Sequence, residues 1–338
     1  GPAGLTQLDK QRMTGDLNFD FKTDVLYAGD LQGNLWRFDL TASTSSGWTA
    51  RSIFQAVDSS SNKQPISATP AVMSHPTSGS GYIVLFGTGL YLYGSATGYA
   101  DDPANKNTQS LYGIWDNTSI ANPTLSVSGR SQLQQQTILQ QIQQIFGSYT
   151  YNIRNVSINT VNWSSKKGWY LDLLQPASAG TPQQGERVTE AAQFLGSGRV
   201  LFNTKIPSTD ACTAGGSSWA MEIDAGTGAR VDTGNANNKT FDLNQDQSVN
   251  SLDNSTFGGV LSTAVVVSGI QRVTNINGSG GATVCGMTQM GTPYCNAGKS
   301  LIRKTFSCTN GSLYTETDAA SQDFCGTSFK RTSWRELQ

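Results

Sequence analysis

The chain has 338 residues and a formal net charge of −1, and only 14% of its residues are charged. That balance gives no electrostatic footprint for nucleic acid or for an anionic membrane surface, and no apolar run reaches the roughly 18 residues that a transmembrane helix needs. With 36 glycines and almost no long helical patterns, the chain is predicted to fold as one large all-β domain or two smaller ones.

The first residues are interpreted as foreign to the natural protein. Gly1 and Pro2 have the form of a protease-cleavage remnant, so residues 1–4 are set aside. On this interpretation the natural N-terminus is missing and the chain is a fragment of a longer protein. Residues 5–338 are predicted to form one domain, with a cysteine-rich segment at about 285–325.

The stretch DLNFDFKTD at residues 16–24 places oxygen-bearing side chains at alternate positions. Ca²⁺ takes about six to eight oxygen ligands, which alternate residues of a curling loop supply. Phe21 stands where such loops usually have glycine, and a non-glycine residue there costs strain. The predicted ligands are the side chains of Asp16, Asn18, Asp20 and Asp24 and the backbone carbonyl of Lys22. The competing interpretation is a pair of Asx turns without a metal.

From residue 24 onward, short β-like runs dominate the sequence. DVLYAGD (24–30) and GNLWRFDL (33–40) flank a tight Leu-Gln-Gly turn and are predicted to form a hairpin. Further runs follow at GYIVLFGTG (81–89), QSLYGIWDN (109–117), KGWYLDL (167–173), GRVLFNTKI (198–206), SSWAMEIDAGTG (217–228) and VLSTAVVVSG (260–269).

Four of these runs share a form in which an aromatic residue and a few apolar residues precede an aspartate and a turn. They are 36–39, 112–116, 169–172 and 219–224, and their starts lie 76, 57 and 50 residues apart. That spacing suits four-stranded blades with loop insertions, so a β-propeller, incomplete or modified, is predicted. A pair of two-sheet sandwiches is the alternative. The residues expected to lie in strands and to be largely buried are Trp36, Trp115, Trp169 and Trp219.

The stretch SQLQQQTILQQIQQIFG at residues 131–147 departs from the β pattern. Its apolar residues fall on one helical face, at Leu133, Ile138, Ile142, Ile145 and Phe146. One amphipathic helix near 131–147, ended by Gly147, is therefore predicted. The helix is expected to cap the sheets, and a partner-binding helix is the alternative. The lack of basic residues argues against a helix that lies on a membrane surface.

A second candidate metal loop, DLNQDQSVNSLD at residues 242–253, repeats and extends the start of the first. The predicted ligands are the side chains of Asp242, Asn244, Asp246, Asn250 and Asp253 and the backbone carbonyl of Ser248. The loop resembles those of dockerin type, in which aspartate stands at the last position. Gln247 replaces the usual glycine, and Asx turns without a metal are again the alternative. Two Ca²⁺ sites are therefore predicted.

Five cysteines occur, and four of them lie after residue 284: Cys212, Cys285, Cys295, Cys308 and Cys325. No CxxC pair is present, and the lone His75 cannot complete a zinc site by itself. The Gly/Ser/Thr-rich surroundings are hard to fold by burial alone, which favours a segment stabilised by disulfides in an oxidising compartment. Proximity in sequence favours pairing of Cys285 with Cys295 and of Cys308 with Cys325. Five reduced, buried thiols are the alternative.

The sequence contains few features typical of an enzyme active site. A chain with one histidine offers little material for a Ser-His-Asp or Cys-His arrangement. Neither GxxxxGK[ST] nor GxSxG occurs. Asp172, Glu186 and Glu190 are the acids that could form a glycosidase-type pair, but solvated surface positions are the preferred interpretation. The chain is therefore predicted not to be an enzyme.

Seven motifs occur in order between residue 16 and the end of the chain: GDLQGNLWRFDL, FGTGLYLY, NTQSLYGIWD, NWSSKKGWYLDL, GERV, IPSTDACTAGGSSWAMEIDAGTG and SWREL. In this order they resemble the C-terminal domain of the PilY/PilC family, the type IV pilus biogenesis factors and tip-associated adhesins. The 131–147 segment and the cysteine-rich tail lie outside the shared motifs. No RGD integrin tripeptide occurs, so the sequence itself does not support binding to a host receptor.

The resemblance implies a β-propeller, a calcium loop at 16–24, and a missing N-terminal half that often carries a von Willebrand A-like module. It implies a place on the bacterial surface or at the pilus tip, reached by secretion through the periplasm, with outer-membrane association. Minor pilins are the implied partners, and a host or surface receptor is a further expectation. Pilus biogenesis, twitching motility, attachment and virulence are the implied roles, with calcium occupancy linked to antagonism of pilus retraction.

A different function remains as an alternative. The piece EIDAGTGARV at residues 222–231 resembles the blade ending of quinoprotein dehydrogenases, which would make the chain a secreted propeller oxidoreductase. Such an enzyme needs a tryptophan stacked on the quinone, an arginine clamp and usually a calcium ion in the central channel. The aspartate and glycines of this piece already serve the turn. The calcium-binding, non-enzymatic pilus module is therefore preferred.

Overall fold

The computed structural model describes residues 3–7, 23–77, 81–90, 105–117, 126–146, 149–176, 182–196, 198–207, 216–231, 264–267, 272–276, 283–287, 293–297, 300–307 and 313–320. Within these ranges the regular structure is almost entirely β, and the only helical pieces are two short 3-10 turns, Ser45–Gly47 and Arg130–Gln132. No helix in the described part of the chain has the length and apolar character needed to cross a membrane. The all-β prediction is confirmed.

The described residues form 21 strands. They are β1 (Ala3–Gln7), β2 (Val25–Gly29), β3 (Asn34–Asp39), β4 (Thr49–Gln55), β5 (Ala71–Ser74), β6 (Tyr82–Gly87), β7 (Ser110–Asp116), β8 (Gln134–Gln136), β9 (Ile138–Phe146), β10 (Tyr149–Val156), β11 (Gly168–Asp172), β12 (Arg187–Val188), β13 (Gln193–Gly196), β14 (Arg199–Pro207), β15 (Gly216–Asp224), β16 (Ala264–Val267), β17 (Arg272–Ile276), β18 (Thr283–Met287), β19 (Pro293–Ala297), β20 (Ser300–Ser307) and β21 (Leu313–Ala320).

Three larger sheets follow one another along the chain. The first is the meander β1-β2-β3-β4, and the second has the order β5-β6-β7-β11-β8. The third has the order β12-β14-β15-β16-β10-β9, with β13 paired to β14. Neighbouring strands are antiparallel except for β8 and β11, which run parallel. Two smaller sheets, β17-β20-β21 and β18-β19, complete the described strands.

The second sheet is buried on both faces, and its strand β6 is accordingly apolar along its length. Ile83 and Leu85 belong to a core shared with β14 and β15 of the third sheet. Val84 and Phe86, which alternate with them, belong to a core shared with β2, β3 and β4 of the first sheet. The three sheets therefore stack face to face in chain order, as propeller blades do. Separate two-sheet sandwiches would not cover both faces of the middle sheet.

The hairpin predicted at 24–40 is confirmed, since β2 and β3 pair antiparallel. Asp30 shapes the turn: its carboxylate oxygen accepts hydrogen bonds from the backbone N–H groups of Gln32 and Asn34 at 2.8 and 2.9 Å. Gly33 adopts a φ of +80°, a conformation that glycine reaches without a steric cost. The Leu-Gln-Gly signal in the sequence thus corresponds to an Asx-type turn.

A second turn of the same form, DSSSN, follows β4. Asp58 accepts hydrogen bonds from the backbone N–H groups of Ser60 and Asn62, both at 2.8 Å. Ser61 occupies the position that corresponds to Gly33, with a φ of +66°. The two turns therefore share their hydrogen bonds but differ in strain, because only the second places a non-glycine residue in the left-handed region.

The four tryptophans expected in strands all lie in strands: Trp36 in β3, Trp115 in β7, Trp169 in β11 and Trp219 in β15. Trp169 and Trp219 are buried, with 0% and 1% of their surface exposed. Trp36 and Trp115 are only half-buried. The prediction is confirmed for their strand placement, but its expectation of burial is right for two of the four.

Trp169 is held between two glycines. Its indole Nε1 donates a hydrogen bond to the backbone oxygen of Ala225 at 3.0 Å. A Cβ added to Gly113 or Gly228 would lie 2.3 or 2.2 Å from atoms of the indole. The ring therefore fits between a strand of the second sheet and the turn after β15 because both positions lack a side chain.

The prediction of an amphipathic helix near 131–147 is wrong. That stretch forms a 3-10 turn and the strands β8 and β9, and β9 makes an antiparallel hairpin with β10. The apolar spacing and the helix propensity of glutamine are only weak evidence for a helix. Pairing with the next segment, YTYNIRNV, outweighs this local preference for a helix. The aromatic and β-branched residues of that segment favour a strand, which supplies β9 with hydrogen-bond partners.

The strands β18 and β19 pair with Cys285 directly opposite Cys295. Directly opposed residues in antiparallel strands have Cα atoms about 4.5–5.5 Å apart, within the range of about 4.4–6.8 Å that disulfides span. The register therefore agrees with the pairing favoured by sequence proximity, and the disulfide itself stays a prediction. Cys212, Cys308 and Cys325 lie outside the described residues.

We expect Gly33→Ala to lower the free energy of unfolding by about 1–3 kcal/mol. A non-glycine residue is strained at this φ, and an added Cβ would lie 2.6 Å from the backbone oxygen of Ala56. Ser61→Gly, at the matching position of the second turn, removes such strain and should leave stability unchanged or slightly higher. Urea unfolding of both variants measures the difference, and equal losses would contradict this account.

Candidate functional site

Both predicted calcium loops lie in connections between neighbouring antiparallel strands. The first loop, 16–24, lies between β1 and β2, and the second, 242–253, lies between β15 and β16. Of the predicted ligands, Asp24 falls within the described residues. The others lie outside them: Asp16, Asn18, Asp20, Lys22, Asp242, Asn244, Asp246, Ser248, Asn250 and Asp253.

Asp24 marks the junction between the first loop and β2. It is buried, with 4% of its surface exposed, and its backbone oxygen accepts a hydrogen bond from the N–H of Leu40 at 2.7 Å. This bond fixes the last predicted ligand of the loop to the end of the β2–β3 hairpin. The described ranges bring together no cluster of three or more His, Cys, Asp or Glu side chains that could hold a metal.

A buried ion cluster joins the first two sheets close to this junction. Arg37 donates from Nε to Oδ2 of Asp116 at 2.9 Å, and the hydroxyl of Tyr27 donates to the same oxygen at 2.5 Å. Arg37 also donates from Nη1 to Asp39 at 2.9 Å. The side chains of Arg37 and Asp116 are only 2% and 1% exposed. These four residues, the Arg37 cluster, connect β2 and β3 of the first sheet to β7 of the second.

The pKa shifts in the Arg37 cluster follow from its contacts. Burial and the charge of Asp116 raise the pKa of Tyr27 well above its usual value, so the hydroxyl remains a donor. Burial lowers the pKa of Arg37, but Asp116 and Asp39 outweigh it and the pKa is raised. Burial raises the pKa of Asp39, but hydrogen bonds from Thr41 and Arg37 outweigh it and the pKa is lowered. Arg37 and Asp39 are therefore held in their charged forms, and Tyr27 keeps its proton.

Asp24 contributes to the same electrostatic environment. Burial first, and then the charges of Asp116 and Asp24, raise the pKa of Tyr82 on β6. Asp24, the last predicted ligand of the first loop, and Asp116 of the Arg37 cluster therefore both act on Tyr82. The other carboxylates predicted in the first loop, Asp16 and Asp20, would repel one another and Asp24 if they converged on one site without a bound cation.

The aspartates that end the repeated runs make ordered contacts of different kinds. Asp224 accepts hydrogen bonds from the N–H and the hydroxyl of Thr227 at 2.7 and 2.8 Å, which shapes the turn after β15. Asp172 instead accepts a hydrogen bond from the hydroxyl of Ser110 at 2.6 Å and pairs with Arg130. The turn role inferred from EIDAGTGARV is thus present at Asp224, while Asp172 connects β11 to other elements.

The acids that could have formed a glycosidase-type pair are engaged in ion pairs. Glu186 is 3% exposed and accepts two hydrogen bonds from Arg154, at 2.6 and 2.7 Å. Glu190 contacts Lys205 at 3.2 Å and is partly exposed. The interpretation of these acids as solvated surface residues is wrong for Glu186, which is buried against Arg154. Asp172 is partly buried and pairs with Arg130.

The GERV motif acts as a junction between the second and third sheets. Beside the pair of Glu186 with Arg154, Arg187 donates to the backbone oxygens of Leu90 and Asn105 at 3.2 and 2.9 Å. Arg154 is fully buried, with its guanidinium carbon 3.9 Å from the ring centroid of Trp219.

The buried arginines Arg37, Arg154 and Arg187 were not identified from the sequence, because a charged residue in a β-like run is normally assigned to the solvent-facing side of the sheet. The available signal is a single basic residue within a strand-like run, as in NLWRFD and YNIRNV.

Antiparallel sheets stacked face to face in chain order define the β-propeller class. A family model described as the PilY1 beta-propeller domain matches residues 2–150 of the chain.

Relatives and a solved structure agree with that match. The type IV pilus biogenesis factor PilY1 of Pseudomonas aeruginosa strain PAO1 is 34% identical over 314 residues, which is 85% of this chain and 25% of that protein. A PilY1 homolog of Xylella fastidiosa is 33% identical over 223 residues, which is 63% of this chain and 14% of that protein. The crystal structure of the Pseudomonas aeruginosa PilY1 C-terminal domain matches with a TM-score of 0.63 and 29% identity, covering 90% of this chain and 60% of that one.

The family model, the sequence identity and the structural match agree, and the chain belongs to the PilY/PilC family, in which it corresponds to the C-terminal β-propeller domain. The resemblance seen in the motifs and the predicted β-propeller are confirmed. The chain spans about a quarter of the length of the Pseudomonas relatives that it matches.

We expect Asp116→Asn to lower the free energy of unfolding by about 3–5 kcal/mol, because it leaves the buried guanidinium of Arg37 without its main partner. Asp39→Asn is the matched control, since it removes the other carboxylate of the same arginine at a site that is 19% exposed. Its cost should be at most about 1 kcal/mol. Denaturant unfolding of both variants tests the ranking, and a larger loss for Asp39→Asn would refute it.

Proposed function

We propose that this chain is the propeller module of a type IV pilus biogenesis factor and that it acts by binding rather than by catalysis. The observation that carries the proposal is its 34% identity, over 85% of the chain, to a Pseudomonas aeruginosa protein whose name is type IV pilus biogenesis factor PilY1. The contacts of Glu186 and Asp172 support the non-catalytic role, because each carboxylate is already occupied by an arginine partner.

The proposed partners are the minor pilins at the tip of the type IV pilus. The module would work on the bacterial surface after secretion through the periplasm, associated with the outer membrane, and would support twitching motility and attachment to a host or other surface receptor. A propeller suits this role because its stacked sheets form a rigid scaffold, while the connections between strands are free to vary and to bind. These roles come from the family relationship and are proposals for this chain.

We further propose that each of the two predicted loops binds one Ca²⁺ through oxygen ligands. Support comes from the alternate spacing of the acceptors and from the fixed, buried position of Asp24 at the end of the first loop. A site whose Kd lies about tenfold below the ambient calcium concentration adds RT ln 11, about 1.4 kcal/mol, to folded-state stability. That is small for a whole domain but sufficient to order one connection.

Calcium would act on the connections between paired strands. The first loop joins β1 to β2 and the second joins β15 to β16, so an ion bound in either loop would fix the ends of two neighbouring strands. In the proposed function this ordered, calcium-loaded form is the one that antagonises pilus retraction. The strand that follows the first loop, β2, contributes Tyr27 to the Arg37 cluster, which links the first sheet to the second.

Deletion of the gene segment that encodes residues 5–338 should reduce surface piliation, twitching and attachment. Complementation with the intact segment should restore all three, and a segment carrying Ser61→Gly serves as a matched control because it preserves the fold. Normal piliation and attachment after the deletion would reject the proposed function. Absorbance from a bound quinone in the purified chain would favour the oxidoreductase alternative instead.

Isothermal titration should show two calcium sites, with a Kd of about 10⁻⁴–10⁻³ M as is common in extracellular modules. Asp20→Ala should remove the first site and Asp246→Ala the second, because each removes a carboxylate from the middle of its loop. Asp39→Asn, a carboxylate of the Arg37 cluster outside both loops, is the control and should leave two sites. If both alanine variants still bind two ions, the loops are Asx turns without a metal.

A further inference from the structure

His75, the one histidine of the chain, is buried among aromatic rings. It follows directly after β5, and 5% of its surface is exposed. The centroid of its ring lies 4.7 Å from that of Trp115 on β7 and 4.3 Å from that of Trp163, which it meets edge to face. Trp163 belongs to residues 157–167, which connect β10 of the third sheet to β11 of the second. His75 therefore lies where the connection between two sheets contacts the end of β5.

The hydrogen bonds of the His75 ring require its neutral form. Nδ1 accepts a hydrogen bond from the backbone N–H of Thr77 at 3.0 Å, so this nitrogen carries a lone pair and the proton is on Nε2. Nε2 is buried and has no hydrogen-bond partner among the described residues. A second proton would be added to Nδ1, where it would oppose the N–H of Thr77, and the resulting charge would be buried away from water.

The corner formed by residues 75–77 also contacts the third sheet. A Cβ added to Gly226, in the turn after β15, would lie 2.9 Å from Cγ of Pro76. Pro76 and Thr77 are themselves exposed. An outward movement of this corner would therefore bring the His75 ring into water, and it would separate the ring from Trp163.

We propose that His75 is an acid-sensitive latch: the neutral ring holds the end of β5 against Trp163 and so fixes the 157–167 connection between the second and third sheets, and protonation of the ring releases that connection. Protonation removes the acceptor of the Thr77 N–H and requires the ring to be hydrated, and the outward movement of the corner meets both demands. The response is a local opening, because Val161 and Trp163, which pack the connection on the core, are only partly buried.

The direction of the pH dependence follows from the burial of the ring. Burial lowers the pKa of His75 below its usual value, so the opened or unfolded chain binds this proton more tightly than the closed chain does. The contribution of the latch to stability is therefore complete above about pH 6.5, the usual pKa of histidine. It is lost as the pH falls from there through the lowered pKa of the closed state.

Other titratable groups on the elements around His75 do not produce the same response. They are Tyr82 on β6, Asp116 on β7, Lys166 and Lys167 in the connection, and Asp224 before the turn that contacts Pro76. Lysine and tyrosine side chains do not titrate in this pH window. Burial raises the pKa of Asp224, and a carboxyl group with a raised pKa stabilises the folded state as the pH falls, which is the opposite direction.

Hydrogen exchange of residues 157–167 in the 338-residue chain, corrected for the intrinsic pH dependence of amide exchange, measures the opening. Exchange should increase by up to about tenfold for each pH unit below about 6.5. In His75→Asn the side chain stays neutral, and its oxygen can accept from the N–H of Thr77 as in an Asx turn, so exchange should not increase. Lys167→Gln is the matched control: it removes a charge whose Nζ lies 4.7 Å from the Trp115 ring centroid but keeps His75, and it should retain the acid response.

An equal increase in the wild type and in His75→Asn would overturn the proposal, and so would loss of the acid response in Lys167→Gln. A second measurement needs no variant. Since the chain has one histidine, the imidazole resonance in its NMR spectrum belongs to His75, and its titration should give a pKa below about 6.5. A value at or above 6.5 rejects the latch even if His75→Asn does not fold.

Discussion

Burial of the second sheet on both faces is the constraint on which the rest of the structure depends. A half-exposed strand alternates apolar and polar residues, whereas β6 must be apolar throughout because each of its faces supports a different core. The close approach of the second and third sheets adds a second requirement, a residue without a side chain at the contact. A Cβ added to Gly87 would lie 2.5 Å from the side chain of Val188 in the third sheet. The outer sheets therefore take their positions from the middle one.

Buried charge specifies how these sheets meet. Arg37 connects the first sheet to the second, and Arg187 connects the third sheet to the backbone around β6 and β7. Ions taken out of water lose several kcal/mol of hydration, so such pairs contribute little net stability. Their effect is to penalise wrong arrangements, because a shifted sheet would leave a buried charge without its partner. The apolar cores supply the free energy of folding, and the arginines favour one register.

Local rules explain which features were predictable. The turn at Asp30 depends on neighbouring residues, and the apolar run of β6 shows its two-sided burial directly. The strand β9 depends on the partner strand that the following segment supplies. The buried ion pairs depend on distant segments: Arg37 reaches Asp116 across 79 residues, and no window around either residue contains that information. The same holds for the candidate site. The ligand spacing in 16–24 could be found by inspection, whereas the anchoring of Asp24 by Leu40 required the hairpin to be in place.

The setting of Trp169 has a consequence for how such chains diverge. The indole occupies space that exists because Gly113 and Gly228 lack side chains, and its one polar atom is satisfied by the backbone of Ala225. A smaller ring would leave a void, and a larger neighbour would have no room. A substitution at Trp169, Gly113 or Gly228 therefore constrains which residues the other two positions can accept. We expect homologous chains to keep or replace the three residues together, so that correlated substitution at these sites would reveal the contact.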